Sequence, residues 1–166
     1  MSILNHKISV GIDGKKLFSF KSLKLHQSIN NHHRFELLLD LEAGGNRYAH
    51  NLKDSAKWIG KSFAVYAGEN SETTFMGVIT GVSLHRKNSD FGHILVSGYS
   101  ETYRLETDLN FNSWTGCTLA DIIKEMTSKA GVSARINPEY TEKLDYVCQY
   151  NETDFTFIKR LALQYN

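Results

Sequence analysis

Over the first hundred residues, apolar and polar positions alternate in short runs broken by turn-forming residues, and each run predicts a strand. Ile8, Val10 and Ile12 alternate with polar partners. Asp13-Gly14 then offers two positive-φ turn positions, and Leu17, Phe18, Phe20, Leu23 and Leu25 follow, so residues 7–28 read as a β-hairpin. The Leu23-Lys24-Leu25-His26 alternation predicts one wet and one dry face, and Asn30-Asn31-His32-His33 a turn. Residues 34–41 predict the next strand, with Phe35, Leu37 and Leu39 on one face; Leu38 and Leu41 imply partial burial of the other. Ala43-Gly44-Gly45-Asn46 opens an irregular connection. Residues 51–58 predict a short helix, capped by Asn51, with Asp54 in its first turn and Gly60 stopping it. Strands are predicted again over 62–67, 73–86 and 92–100, joined by turns at 68–71 and 87–90. The long middle one carries Gly77 and Gly81 as expected bulges, and its partner sets Ile94, Val96 and Gly98 on one face.

Residues 3–100 therefore hold about six strands and one inserted helix, the pattern of an antiparallel β-barrel or sandwich. Long strands with internal glycines favour the barrel, because closure requires strands to coil. The period then changes. Residues 106–114 read as extended. Thr118 caps a helix through Ala130, with Asp121 completing a capping box, Leu119, Ile122, Ile123, Met126 and Ala130 on its buried face, and Gly131 ending it. Residues 132–136 and 144–150 predict strands on either side of Asn137-Pro138. A last helix has Asn151 or Thr153 as N-cap, Asp154 in its first turn, and Phe157, Ile158, Leu161, Ala162 and Tyr165 at helical spacing. The predicted class is mainly β with α+β: an antiparallel barrel over residues 1–104, then a βαββα unit over 105–166, with the change of character at 102–111.

The final string, Gln149-Tyr150-Asn151-Glu152-Thr153-Asp154-Phe155-Thr156-Phe157-Ile158-Lys159-Arg160-Leu161, resembles the "QY-x-E-[ST]-D-F-x-F-[IV]-x-R-L" segment of VgrG-type spike proteins of type VI secretion systems and of contractile phage tail hubs. Three weaker likenesses precede it in the family's order. Phe75-Met76-Gly77-Val78-Ile79-Thr80 resembles its "F-x-G-[IV]-[IV]-T" strand, Gly98-Tyr99-Ser100 its "G-x-S" strand end, and Cys117-Thr118-Leu119-Ala120-Asp121-Ile122-Ile123 its "x-x-T-[VL]-x-[DE]-I-[IV]" helix start. In the family the final segment continues into a further strand, so the chain ending at Asn166 is expected to be a fragment of a longer protein. The resemblance implies a structural, non-enzymatic hub: a homotrimer of two-barrel chains forming a pseudo-hexameric ring on the hexameric tube protein, Hcp. Effector proteins would be carried through regions downstream of this chain. The first barrel would face the tube and residues 105–166 would begin a linking domain. The chain would assemble in the cytoplasm and then be ejected. The alternatives are a phage or prophage baseplate hub and, from another class, a cell-wall hydrolase module.

Net charge of +1 and a pI near 7.8 give no electrostatic case for nucleic acid or an anionic membrane. Residues 1–10 lack the apolar core of a secretory signal. Cys117 and Cys148 have no motif spacing and read as small buried hydrophobes.

No catalytic, cofactor or metal residue is assigned. His32-His33 are adjacent and cannot give a helix-face pair, and His85 and His93 flank a hairpin but lack a nearby carboxylate or thiolate. Glu101, Glu106 and Asp108 read as a solvated connection, and Glu152 and Asp154 as helix capping, rather than as a glycosidase pair. The Gly11/Gly14 and Gly77/Gly81 pairs are strand and turn glycines, not phosphate loops. Tyr99, Tyr103, Tyr146, Tyr150 and Phe155, with no basic stripe beside them, read as core and interface residues.

Overall fold

The computed structural model describes residues 8–17, 19–40, 52–68, 72–85 and 92–165. They fall into two compact units, Met1–Glu101 and Thr102–Asn166. The predicted Asn51 cap, Leu41, the 43–46 connection and the 87–90 turn lie outside the described residues.

In the first unit β1 (Ser9–Ile12), β2 (Lys15–Lys16), β3 (Ser22–His26), β4 (Arg34–Asp40), β5 (Ser62–Ala67), β6 (Glu72–His85) and β7 (His93–Ser100) form one antiparallel sheet in the order β2-β1-β5-β6-β7-β4-β3. A short helix, α1 (Leu52–Ser55), and a 3-10 turn (Ala56–Trp58) precede β5. Asp13 (φ 51°) and Gly14 (φ 73°) are both left-handed, the geometry of the tight turn that joins β1 to β2.

The second arm of the predicted hairpin is divided. Lys15 and Lys16 pair with β1, whereas residues 22–26 pair with β4. Those two segments are the end strands of the sheet, and residues 17–21 run between them. Leu17 still donates to the Val10 carbonyl (2.8 Å), and Lys21 already donates to that of Leu38 (2.8 Å). No ladder joins β2 to β3 among the described residues.

Alternation decides which side chains enter the core. Val10, Ile12, Phe35, Leu37, Leu39, Phe63, Val65, Phe75, Ile79, Ile94 and Val96 are buried together. Phe35 on β4 stacks on Phe63 of β5 at 3.8 Å between centroids, and Phe75 meets both edge-on. β6 and β7 lie between β4 and β5, so in a flat sheet those rings would be about 14 Å apart. Their contact means that the sheet curls around its inner face. Gly81 sits at a register shift between β6 and β7, as expected, whereas the shift between β5 and β6 falls beside Val65 rather than at Gly77.

In the second unit β8 (Asn110–Trp114) pairs with β9 (Val147–Glu152), and α2 (Leu119–Lys129) and α3 (Asp154–Tyr165) bury Leu119, Ile122, Met126, Phe157 and Leu161 with Leu144 and Val147. The predicted strand over 132–136 is absent, which corrects the order to βαβα. Its apolar start has another cause. Gly131 is left-handed (φ 66°), the Gly131 N–H reaches the Ser128 carbonyl, and the Val132 N–H reaches that of Thr127, so Val132 closes α2 as a Schellman motif.

The capping box of α2 is formed. Thr118 Oγ1 accepts from the Asp121 N–H (3.2 Å), and Asp121 Oδ2 accepts from the Thr118 N–H (3.2 Å) and hydroxyl (2.7 Å). The Thr118 hydroxyl, then its backbone N–H, hold the Asp121 carboxyl below its ordinary value. A depressed folded-state pKa contributes stability above the unfolded value of about 3.9, lost as pH falls through the folded value. Asp121→Asn is therefore expected to flatten the acid limb of a pH–melting curve of this unit, measured from about pH 5 downward.

Candidate functional site

The residues of the recognised string form one connected polar and aromatic network where β9 turns into α3. Gln149 lies on the inward face of β9 and is 2% exposed. Its amide nitrogen donates to the Glu152 carbonyl (3.1 Å) and Asp154 Oδ1 (2.9 Å), while its oxygen accepts from Asn112 Nδ2 (2.9 Å) on β8. Asp154 Oδ1 also accepts from Asn110 Nδ2 (2.9 Å). Asn151 is left-handed (φ 50°) beside a register shift, and Thr153 caps α3 through its hydroxyl to the Thr156 N–H (3.1 Å). Thr153 is thus the N-cap, and Asn151 makes the bend.

Glu152 does not cap the helix. It grips Arg160 one face away (Nη2 to Oε1 2.6 Å, Nε to Oε2 3.3 Å), and Arg160 also donates to the Cys148 carbonyl (2.8 Å). The Glu152 hydrogen bond outweighs the opposing effect of burial and holds the guanidinium above its ordinary value. Arg160 lies 5.0 Å from the Phe157 ring centroid, and Trp114 stacks on the same ring at 5.2 Å. Gln149, Glu152, Asp154, Phe157 and Arg160 of the string therefore fasten the β8–β9 ribbon to α3.

The other candidates are placed apart. Glu101 and Glu106 lie on a 3-10 turn (Glu101–Glu106), and Asp108 is exposed after it. The His33 N–H donates to Ser100 Oγ (3.1 Å), and His32 packs edge-on to Tyr99. Cys117 is half-buried and Cys148 exposed, both free, so the buried-hydrophobe reading fails for Cys148, which is on the outer face of β9. Tyr146 (64%) and Tyr150 (76%) are exposed, so of the core-and-interface reading the core part does not hold for them; Tyr150 meets Phe111, also exposed, edge-on across the ribbon. Within this unit a cavity of about 370 Å³, lined by Leu105, Ile123, Val132, Ile136, Phe155 and Ile158 among others, is mostly apolar. Among the described residues no three His, Cys, Asp or Glu side chains are assembled around a metal position, and no helix is long and apolar enough to cross a membrane.

Sequence reasoning missed Gln149 and the Glu152–Arg160 pair. Glu152 and Arg160 are eight positions apart, and the strand-to-helix turn that brings them together is not visible in the periodicity of either element.

A family model described as "Phage tail baseplate hub (GPD)" matches residues 28–165. Among solved structures, the 43 kDa tail protein of prophage MuSo2 from Shewanella oneidensis superposes with TM-score 0.77 at 19% identity, covering 97% of this chain and 49% of its own. A tail protein from Neisseria meningitidis MC58 gives TM-score 0.67 at 14% identity, covering 92% and 43%. The Escherichia coli c3393 protein, a type VI secretion component similar to the phage T4 tail proteins gp27 and gp5, gives 0.55 at 15%, covering 85% and 42%. No curated protein matches. The chain spans about half the length of these structures or less. The family match over residues 28–165 places the chain in the phage tail baseplate hub (GPD) family.

Proposed function

We propose that this chain is a structural part of the hub at the tip of a contractile tail, in a phage or prophage particle, where it seats the tail tube. The observation that carries the reading is the hub-family match across both units. The string fastening β9 to α3 supports it, since its residues serve packing rather than catalysis. A type VI secretion hub, docking on Hcp and supporting an effector-bearing spike, is the second reading, favoured by the fold likeness to c3393.

The first unit would be the tube-facing barrel. Chain length supports the barrel reading: the end strands β2 and β3 are joined by residues 17–21, which span at most about 21 Å, whereas seven strands laid flat would hold their edges about 29 Å apart, so the sheet must curl. With β2 and β3 counted as one bent strand, the barrel would have six strands. The second unit would begin the link to a second barrel, and the exposed Phe111, Tyr146 and Tyr150 would be covered in the assembled hub. Three such chains would offer six docking surfaces to a hexameric tube. The protein would assemble in the cytoplasm and leave with the tail, and a peptidoglycan turnover assay is expected to show no activity.

Light scattering tests the assembly. The 166-residue chain is expected to be a monomer or a weak oligomer, because one barrel lacks much of an obligate interface of about 2,000 Å² or more. A protein carrying both barrels is expected to be a trimer. A stable trimer of this chain at micromolar concentration would contradict the two-barrel argument.

A further inference from the structure

Residues 132–136 carry a strand pattern that the fold leaves unused. Val132, Ala134 and Ile136 alternate with Ser133 and Arg135, yet neither sheet takes them in. The Val132 N–H is committed to the Thr127 carbonyl at the end of α2. Over residues 133–137 no backbone group is hydrogen-bonded to another described residue. Ile136 is half-buried and the other four are exposed, so water holds these groups. An exposed row of unpaired backbone donors and acceptors is a template for one more strand.

The same stretch forms one rim of the apolar cavity of about 370 Å³, across from Ile123 of α2 and from Phe155 and Ile158 of α3. A space of about 150 Å³ takes one benzene-sized group, so there is room for about two. Residues i and i+2 of a strand point to the same side, so a single incoming strand can supply both. Arg135 is the only charged side chain lining the cavity, and it has no ion-pair partner among the described residues. An acidic residue between the two apolar ones would stand opposite it, a favourable cross-strand pair.

We propose that this groove accepts an extended segment of a partner polypeptide. The segment adds a strand along residues 133–137, sets two apolar side chains in the cavity, and turns an aspartate or glutamate between them to Arg135. Backbone pairing supplies affinity; the cavity and Arg135 choose the sequence. A lipid chain would fill the cavity but leave the backbone of residues 133–137 unpaired, so a polypeptide fits better. Such docking needs only the second unit and is independent of the hub reading.

The test is amide hydrogen exchange of the 166-residue chain, followed by NMR, with and without millimolar synthetic peptide of sequence threonine–isoleucine–glutamate–valine–threonine, blocked at both ends. Slowed exchange is expected at residues 133–137. A peptide with lysine in place of the glutamate is expected to bind about fivefold more weakly, and Arg135→Glu to invert that preference, with circular dichroism showing that the variant folds. Three results overturn the proposal. One is no slowing at residues 133–137 with the peptide. Another is a charge preference that Arg135→Glu does not invert. The third is a saturable response to decanoate with none to the peptide, which would assign the cavity to a small amphiphile.

Discussion

Phe157→Ala is expected to destabilise the second unit by about 3–5 kcal/mol, the range for removing a fully enclosed aromatic ring. Phe157 is 0% exposed and occupies the centre of the cluster formed by Leu119, Ile122, Met126, Leu144, Val147 and Leu161. Trp114 stacks on it from β8, and the Trp114 Nε1–H is anchored to Glu125 Oε2 (3.0 Å) on α2. The indole cannot follow the missing ring inward without giving up that bond, so the space stays open. Arg160 also loses the ring beneath it, while its grip on Glu152 remains. Denaturant titration followed by tryptophan fluorescence reads the effect, since Trp114 reports on this cluster. An unchanged midpoint would remove Phe157 from the core.

Gly98→Ala is expected to cost the first unit about 3 kcal/mol, the upper end of what overpacking a tight core does. A Cβ at Gly98 would overlap the Val78 carbonyl oxygen of the neighbouring strand and the edge of the Phe35 ring. Neither can yield easily. The carbonyl belongs to the β6 backbone, and Phe35 is stacked face to face on Phe63. Gly98 is therefore fixed by close approach rather than by backbone angle. A melting temperature of the first unit within a degree or so of the parent would mean that the sheet is curled less tightly here than the Phe35–Phe63 stack requires.

These two positions show what the sequence reveals and what it hides. The alternation at Phe35, Leu37 and Leu39, and at Ile94, Val96 and Gly98, marked the inner face because a strand has only two sides. The Thr118–Asp121 box and Gly131 marked both ends of α2 because caps are local chemistry. Local pattern failed where one segment serves two partners. Residues 15–26 look like one arm of a hairpin, yet pair with β1 at one end and β4 at the other. Val132 looks like the start of a strand, yet it is the apolar residue that seals a helix end. The functional string was legible as a resemblance, but the reason for its letters was not: Gln149, Glu152 and Arg160 meet only after β9 has turned into α3.

The central claim is that this chain seats a tail tube. Copy number and location in the assembled particle test it most directly. Purified tails, or secretion-apparatus sheath–tube assemblies, should be examined by cryo-electron microscopy and by quantitative peptide mass spectrometry against the tube protein. Three copies of the parent protein are expected at the tube's end, with the curled sheet of residues 8–100 packed against the last hexameric ring. A protein absent from intact tails, or found along the sheath rather than at the tube's end, would contradict the account.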